Sequence, residues 1–214
     1  MTGGAQLRMV PTQKRRALMA HEAKNFDHLC GKLKGISEAQ LKAHFGLYQG
    51  YVKKLNEIED KLKGADPAAG NYTFNEFSEL RRREAVAFNG SYLHQAYFEN
   101  LAAPGSRVDG TFKSAVETSF GSWDRWLADV RGSVASTPGW VVTTYNAITH
   151  RLHNYIMYEH HIGLPVHQTL VLALDCWEHA YMIDYGTAKP KYLDAFFDNI
   201  CWTTVGERLQ RVAK

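Results

Sequence analysis

The run Thr169-Leu-Val-Leu-Ala-Leu174, followed at once by Asp175-Cys-Trp-Glu-His179, constrains the fold more than any other stretch of this chain. A short apolar run bounded by turn residues reads as a strand buried on both faces, so Asp175 stands where a strand leaves a core. A carboxylate in that place needs a partner. Asp175 and His179 lie four residues apart, and carboxylate oxygen with neutral imidazole nitrogen suits divalent and trivalent first-row metals. The alternative is a helix cap at Asp175, with Glu178 and His179 solvated beyond it.

Two long helices precede this region. Ser37 with Gln40 forms a capping box, and Leu41, Phe45, Tyr48, Val52, Leu55, Ile58 and Leu62 follow at helical spacing, with His44 on the same stripe. Thr73 with Glu76 is read as a second box. It opens a stripe of Phe77, Leu80, Ala85, Phe88, Tyr92, Ala96 and Leu101 that Pro104-Gly105 ends, with His94 inside it. The chain divides near Asp109-Gly110. Beyond it come a short helix, a helix capped by Ser122, strand-like runs from Trp140 to Tyr145 and from Leu152 to Tyr158, the strand ending at Leu174, and two C-terminal helical stretches. The expected domains are therefore an extension over residues 1–33, a helical hairpin over 34–108 and an α+β unit over 109–214. The first of these matches no recognisable pattern and is expected to be a surface-packed extension or a flexible arm.

Composition narrows the function class. With 45% hydrophobic residues the chain can bury a sizeable core, and a net charge of +3 is too diffuse for a nucleic-acid partner. Lys14-Arg-Arg16 and Arg81-Arg-Arg83 read as solvated faces. Cys30, Cys176 and Cys201 lack metal or redox spacing and leave an odd count, which points to a reducing cytoplasm. The N-terminal residues lack an uninterrupted apolar segment, so no membrane span or secretory signal is expected.

Asp175-Cys-Trp-Glu-His179-Ala-Tyr-Met-Ile-Asp184-Tyr185, continued by Lys189-Pro-Lys-Tyr-Leu-Asp-Ala-Phe-Phe197 and Ile200-Cys-Trp202, resembles the C-terminal signature of the iron and manganese superoxide dismutases. His44-Phe-Gly-Leu-Tyr-Gln-Gly-Tyr51-Val52 with Leu55-Asn56 is similar to the first-ligand helix of that family, one residue shorter than its commonest version. Gly90-Ser-Tyr-Leu-His94-Gln-Ala-Tyr97, running on to Leu101 and Pro104, resembles the second-ligand helix, with one extra residue before the proline and Leu93 where Asn is usual. The resemblance covers roughly residues 34 to 212. It implies a helical hairpin followed by a domain with a three-stranded antiparallel sheet flanked by helices.

By the same resemblance His44, His94, Asp175 and His179 hold one Fe or Mn ion per subunit, and superoxide is the substrate, converted to oxygen and hydrogen peroxide. The resemblance also implies that Tyr51 stands over the substrate entrance as a proton-relay or gating hydroxyl. The family's outer-shell Gln is replaced: the helix position is Gly90, and the sheet position aligns with Glu159-His160-His161, which makes His160 the expected donor and His161 the neighbouring choice. Trp140 and Trp177 wall the metal, and Glu178 reaches across an interface, which implies a homodimer or tetramer. A usual interface pair is absent, its tyrosine replaced by Met182 and its histidine by Leu47 or Tyr48. Two rivals are a catalytically silent scaffold on the same fold and a zinc hydrolase.

Overall fold

The computed structural model describes residues 20–213 and shows an α+β arrangement. Helix α1 spans Glu38–Leu62. The Ser37 side chain accepts from the Gln40 amide at 3.1 Å, as the capping box predicts. Its other half is not formed, because the Ser37 amide donates instead to Asp184 Oδ2 at 2.7 Å. Leu41, His44, Phe45, Tyr48, Val52, Leu55 and Ile58 are all buried, so the predicted stripe is the inward face.

Helix α2, Glu76–Glu99, departs from expectation twice. Its cap is Asn75 and not Thr73: the Asn75 Oδ1 accepts from the amides of Phe77 and Ser78 at 2.9 and 3.4 Å. A cap must directly precede the first helical residue to reach those amides, and Thr73 lies two residues too early. The inward face is also rotated. Phe88 and Tyr92 are exposed and flank the His21 ring, while Ala87, Gly90, Ser91, His94 and Tyr97 face inward. The cause is size. A Cβ on Gly90 would fall 2.5 Å from Tyr51 Cδ1, so α1 and α2 approach too closely to admit large rings between them.

Residues 20–33 are fastened to this hairpin. His21 exchanges two backbone hydrogen bonds with the Asn56 side chain, both at 2.8 Å, and Phe26 and Leu29 are buried in the main core. The expectations for Lys14-Arg-Arg16 and the rest of residues 1–19 fall outside the described residues.

The C-terminal half begins with α3 (Gly110–Phe120) and α4 (Trp123–Ala135), the latter capped by Ser122 as predicted. Strands β1 (Trp140–Asn146), β2 (Arg151–Met157) and β3 (Gln168–Asp175) form one antiparallel sheet in the order β2-β1-β3. The register sets Trp140 opposite Met157 on one side and opposite Asp175 on the other. A short 3-10 turn (Glu178–Ala180) leads into α5 (Met182–Tyr185), α6 (Lys189–Asp198) and α7 (Trp202–Val212). The main core, running from Phe26 through the α1–α2 pair to the sheet, joins the two halves, and Leu55, Ile58 and Ala87 form a smaller cluster of their own between α1 and α2. Among the described residues no helix is long and apolar enough to cross a membrane.

Candidate metal centre

Four residues from four elements meet in the core: His44 from α1, His94 from α2, Asp175 at the end of β3 and His179 on the 3-10 turn. One ligand atom from each lies within 4.8 Å of all the others. The contacts converge on one carboxylate oxygen. His44 Nε2 and His179 Nε2 are each 3.1 Å from Asp175 Oδ2, His94 Nε2 is 3.5 Å from it, and the two Nε2 atoms of His94 and His179 are 3.3 Å apart. Nitrogen and oxygen donors about 2.1 Å from a common ion stand about 3 to 4 Å from one another, so this donor set fits a metal. His94 Nδ1 donates to the Gly90 carbonyl at 2.5 Å, which leaves Nε2 with its lone pair toward the cluster.

The electrostatics favour the neutral ring. Burial holds the His94 imidazole well below its ordinary range, at about 3, and burial likewise lowers His44. Burial alone would raise Asp175. The hydrogen bonds from His179 and His44, and the charges beside it, outweigh that and hold its carboxyl well below the usual carboxylate range. The result is an anionic carboxylate beside the neutral imidazoles of His44 and His94. Asp175 does accept one local amide, Trp177 N at 3.0 Å on Oδ1, as a turn-capping Asp would, yet its other oxygen faces three histidines. Tyr192 fixes the same residue from behind, donating to the Asp175 carbonyl at 2.8 Å.

Tyr51 follows His44 by seven residues, two turns of helix, so both side chains lie on one face of α1. Its ring stacks on His94 with centroids 5.3 Å apart, and its hydroxyl lies 2.6 Å from His160 Nε2. Trp140 Nε1 donates to His160 Nδ1 at 2.9 Å. Since indole only donates, Nδ1 must accept, and neutral His160 carries its proton on Nε2 toward the Tyr51 oxygen. Burial lowers His160 and raises Tyr51, the latter with help from the Asp175 charge. Of the adjacent pair, His160 is buried and His161 exposed. Trp140 stands edge-on to His94 at 5.0 Å, and Trp177 stacks on His179 at 6.4 Å. Glu178 is exposed, and the His179 side chain is 31% exposed while the other three ligand candidates are sealed. Tyr48 is buried and receives the Lys24 amide at 3.1 Å, and Met182 is exposed.

Sequence reasoning missed what holds the loop after β3. Gln40, read only as half of a capping box, donates from Nε2 to the His179 carbonyl at 2.6 Å and accepts from the Ile183 amide at 3.0 Å. Its four-residue spacing from His44 on α1 was the available signal.

Comparison with known proteins agrees with this geometry. Residues 108–208 match the model of the iron/manganese superoxide dismutase C-terminal domain. The chain is 38% identical to "Superoxide dismutase [Fe]" of Cupriavidus metallidurans, over 89% of this chain and 96% of that protein. It is 32% identical to "Superoxide dismutase [Fe]" of Aquifex aeolicus, over 91% and 94%. It is 30% identical to "Superoxide dismutase [Mn] 1" of Halobacterium salinarum, over 84% and 89%. With identity sustained across both the helical pair and the sheet that supply the four clustered side chains, the chain belongs to the iron/manganese superoxide dismutase family.

Proposed function

We propose that His44, His94, Asp175 and His179 hold one iron or manganese ion per subunit, and that the protein disproportionates superoxide there. Two superoxide anions and two protons become one oxygen and one hydrogen peroxide. The observation that carries this reading is the convergence of the four ligand atoms within 4.8 Å. The bound ion supplies a one-electron store that passes between its trivalent and divalent states. Three neutral imidazoles tolerate the lower charge, and the Asp175 carboxylate steadies the higher one. All four side chains remain in place and together, so the silent-scaffold reading has no support.

Tyr51 and His160 carry the protons. With Trp140 fixing Nδ1 as the acceptor, His160 holds a proton at Nε2 and donates it to the Tyr51 oxygen, which frees the Tyr51 O–H to donate toward the centre. Both His160 nitrogens are thus engaged, and its influence on the centre passes through Tyr51. Trp140 helps seal the His94 imidazole from bulk water, which strengthens the charge interactions there, and Trp177 covers one face of the His179 ring. Exposed Glu178 beside half-covered His179 supports a homodimer in which a second subunit closes that side. Free Cys30, Cys176 and Cys201 support a cytoplasmic location.

The test is reconstitution with iron or manganese and measurement of superoxide loss against free-metal controls. The loaded protein should exceed the controls, and His94→Ala should lose both metal and activity. Full metal occupancy in folded His94→Ala would reject the ligand assignment. For the dimer, sedimentation of the native chain against Glu178→Ala should show a two-subunit species weakened by the substitution.

A further inference from the structure

We propose that Gln40 is a positioning residue that sets the place of His179 in the metal centre, an inference that rests on the functional reading above. His179 stands on a three-residue 3-10 turn without a side-chain cap, followed by the four-residue helix α5, also uncapped. Such short elements have little stability of their own. His179 C=O and Ile183 N–H are the pair that would bond to each other if the segment ran on as an α-helix. They do not. The Gln40 carboxamide stands between them, donating to the first at 2.6 Å and accepting from the second at 3.0 Å.

Two further bonds free Gln40 for this and hold the segment to the start of α1. Asp184 Oδ2 takes the Ser37 amide that a capping-box glutamine would otherwise accept, and Tyr185 donates to the Gly35 carbonyl. Gln40 itself is buried at 1% exposure, so either unsatisfied end of its amide would be costly. Gln40 and His44 lie four residues apart on one face of α1. One rigid helix therefore carries the His44 ring directly and grips the main chain of His179, fixing the 5.1 Å between the two rings. Among the described residues, the hydrogen-bond contacts of the His179 ring run only to Asp175 and His94, themselves members of the cluster, so its outer support comes through the backbone.

Gln40→Met keeps the volume and loses both bonds. Gln40→Glu keeps the acceptor for Ile183 and sets a carboxylate against the His179 carbonyl. Loss of an outer support costs a metal site about ten- to a hundredfold in affinity. Both folded variants should therefore release manganese to a chelator about ten- to a hundredfold faster than the native chain. The ferric form of each should show a changed rhombicity in its electron paramagnetic resonance spectrum. In the native protein the Ile183 amide should exchange with solvent as slowly as the amides of α1, a measurement that needs no variant. Native-like release and an unchanged spectrum in either folded variant would overturn the proposal, as would fast exchange at Ile183. A native chain that takes up no redox metal would instead reject the functional reading, leaving the exchange result to judge the clamp.

Discussion

His160 sits between an indole that can only give a proton and a phenol that can give or take one, and this asymmetry decides what each substitution does. Tyr51→Phe removes the hydroxyl and leaves the ring stacked on His94, so metal content should be unchanged. A positioned proton donor contributes about 10²–10⁴-fold to a rate, and proton-limited turnover should fall by about a hundredfold, the low end of that range. Rapid-mixing measurement of superoxide decay at matched metal occupancy checks this, and an unaltered rate would remove Tyr51 from the relay. His160→Gln is gentler. A carboxamide accepts from Trp140 through its oxygen and donates to Tyr51 through its nitrogen, so fold and binding should persist. The ratio of iron to manganese activity should change, because the donor facing Tyr51 is no longer an imidazole. An equal ratio in the variant would speak against that influence.

At the level of elements, the two caps of α2 can be told apart by experiment. Asn75→Ala should cost about 1 kcal/mol, the usual loss for a cap, whereas Thr73→Ala should change stability by no more than about 0.5 kcal/mol. Paired urea unfolding curves distinguish the two, and a larger loss at Thr73 would restore the capping box there. Gly90→Ala sets two effects in opposition. Alanine favours a helix over glycine by about 0.5–1 kcal/mol, while overpacking costs about 1–3 kcal/mol. The new methyl meets Tyr51 ring atoms at 2.5 to 2.8 Å, and that ring is confined by His94 and His160, so the clash should win. Thermal unfolding should register a net loss, and a gain would mean that the Tyr51 ring yields freely. The same residue explains what the sequence left hidden. Apolar spacing marked α1 correctly because its large residues do face the core. In the middle of α2 the inward positions are Ala87, Gly90 and Ser91, which carry almost no hydrophobic signal, while the conspicuous Phe88 and Tyr92 pack outside against His21 and the large buried residues Leu93, Tyr97 and Phe98 come only in its last turns. The three strands, each within one residue at its ends, and the four clustered side chains were legible because each follows from local pattern or family motif. The Gln40 clamp was not, since it joins residues 139 positions apart.

Across the whole molecule, Glu99 near the end of α2 ties together parts that are distant in the chain. It accepts from Lys24 at 2.7 Å, Gln95 at 3.0 Å and Arg208 at 2.8 Å, so the segment before α1, helix α2 and helix α7 share one carboxylate. Arg208 carries the link on to the Val171 carbonyl of β3 at 3.2 Å. Burial opposes the charge on Glu99, but the hydrogen bonds and charges of Lys24 and Arg208 outweigh it and hold the carboxyl below its ordinary value. A carboxyl depressed in the folded state stabilises that state fully above its unfolded pKa, about 4.3, and the contribution is lost as pH falls through the lower folded value. Glu99→Gln should therefore destabilise the protein at pH 7 by about 1 kcal/mol, a figure reduced for partial solvent screening. The difference between native and variant should shrink as pH falls below about 4 and vanish once Glu99 is protonated in both states. Urea unfolding of the two metal-free proteins from pH 7 to pH 3 measures this with the metal's own pH dependence removed from the comparison. A difference that stays constant over that range would mean that Glu99 acts through shape and hydrogen bonding alone, and that its charge does not join the halves of the fold.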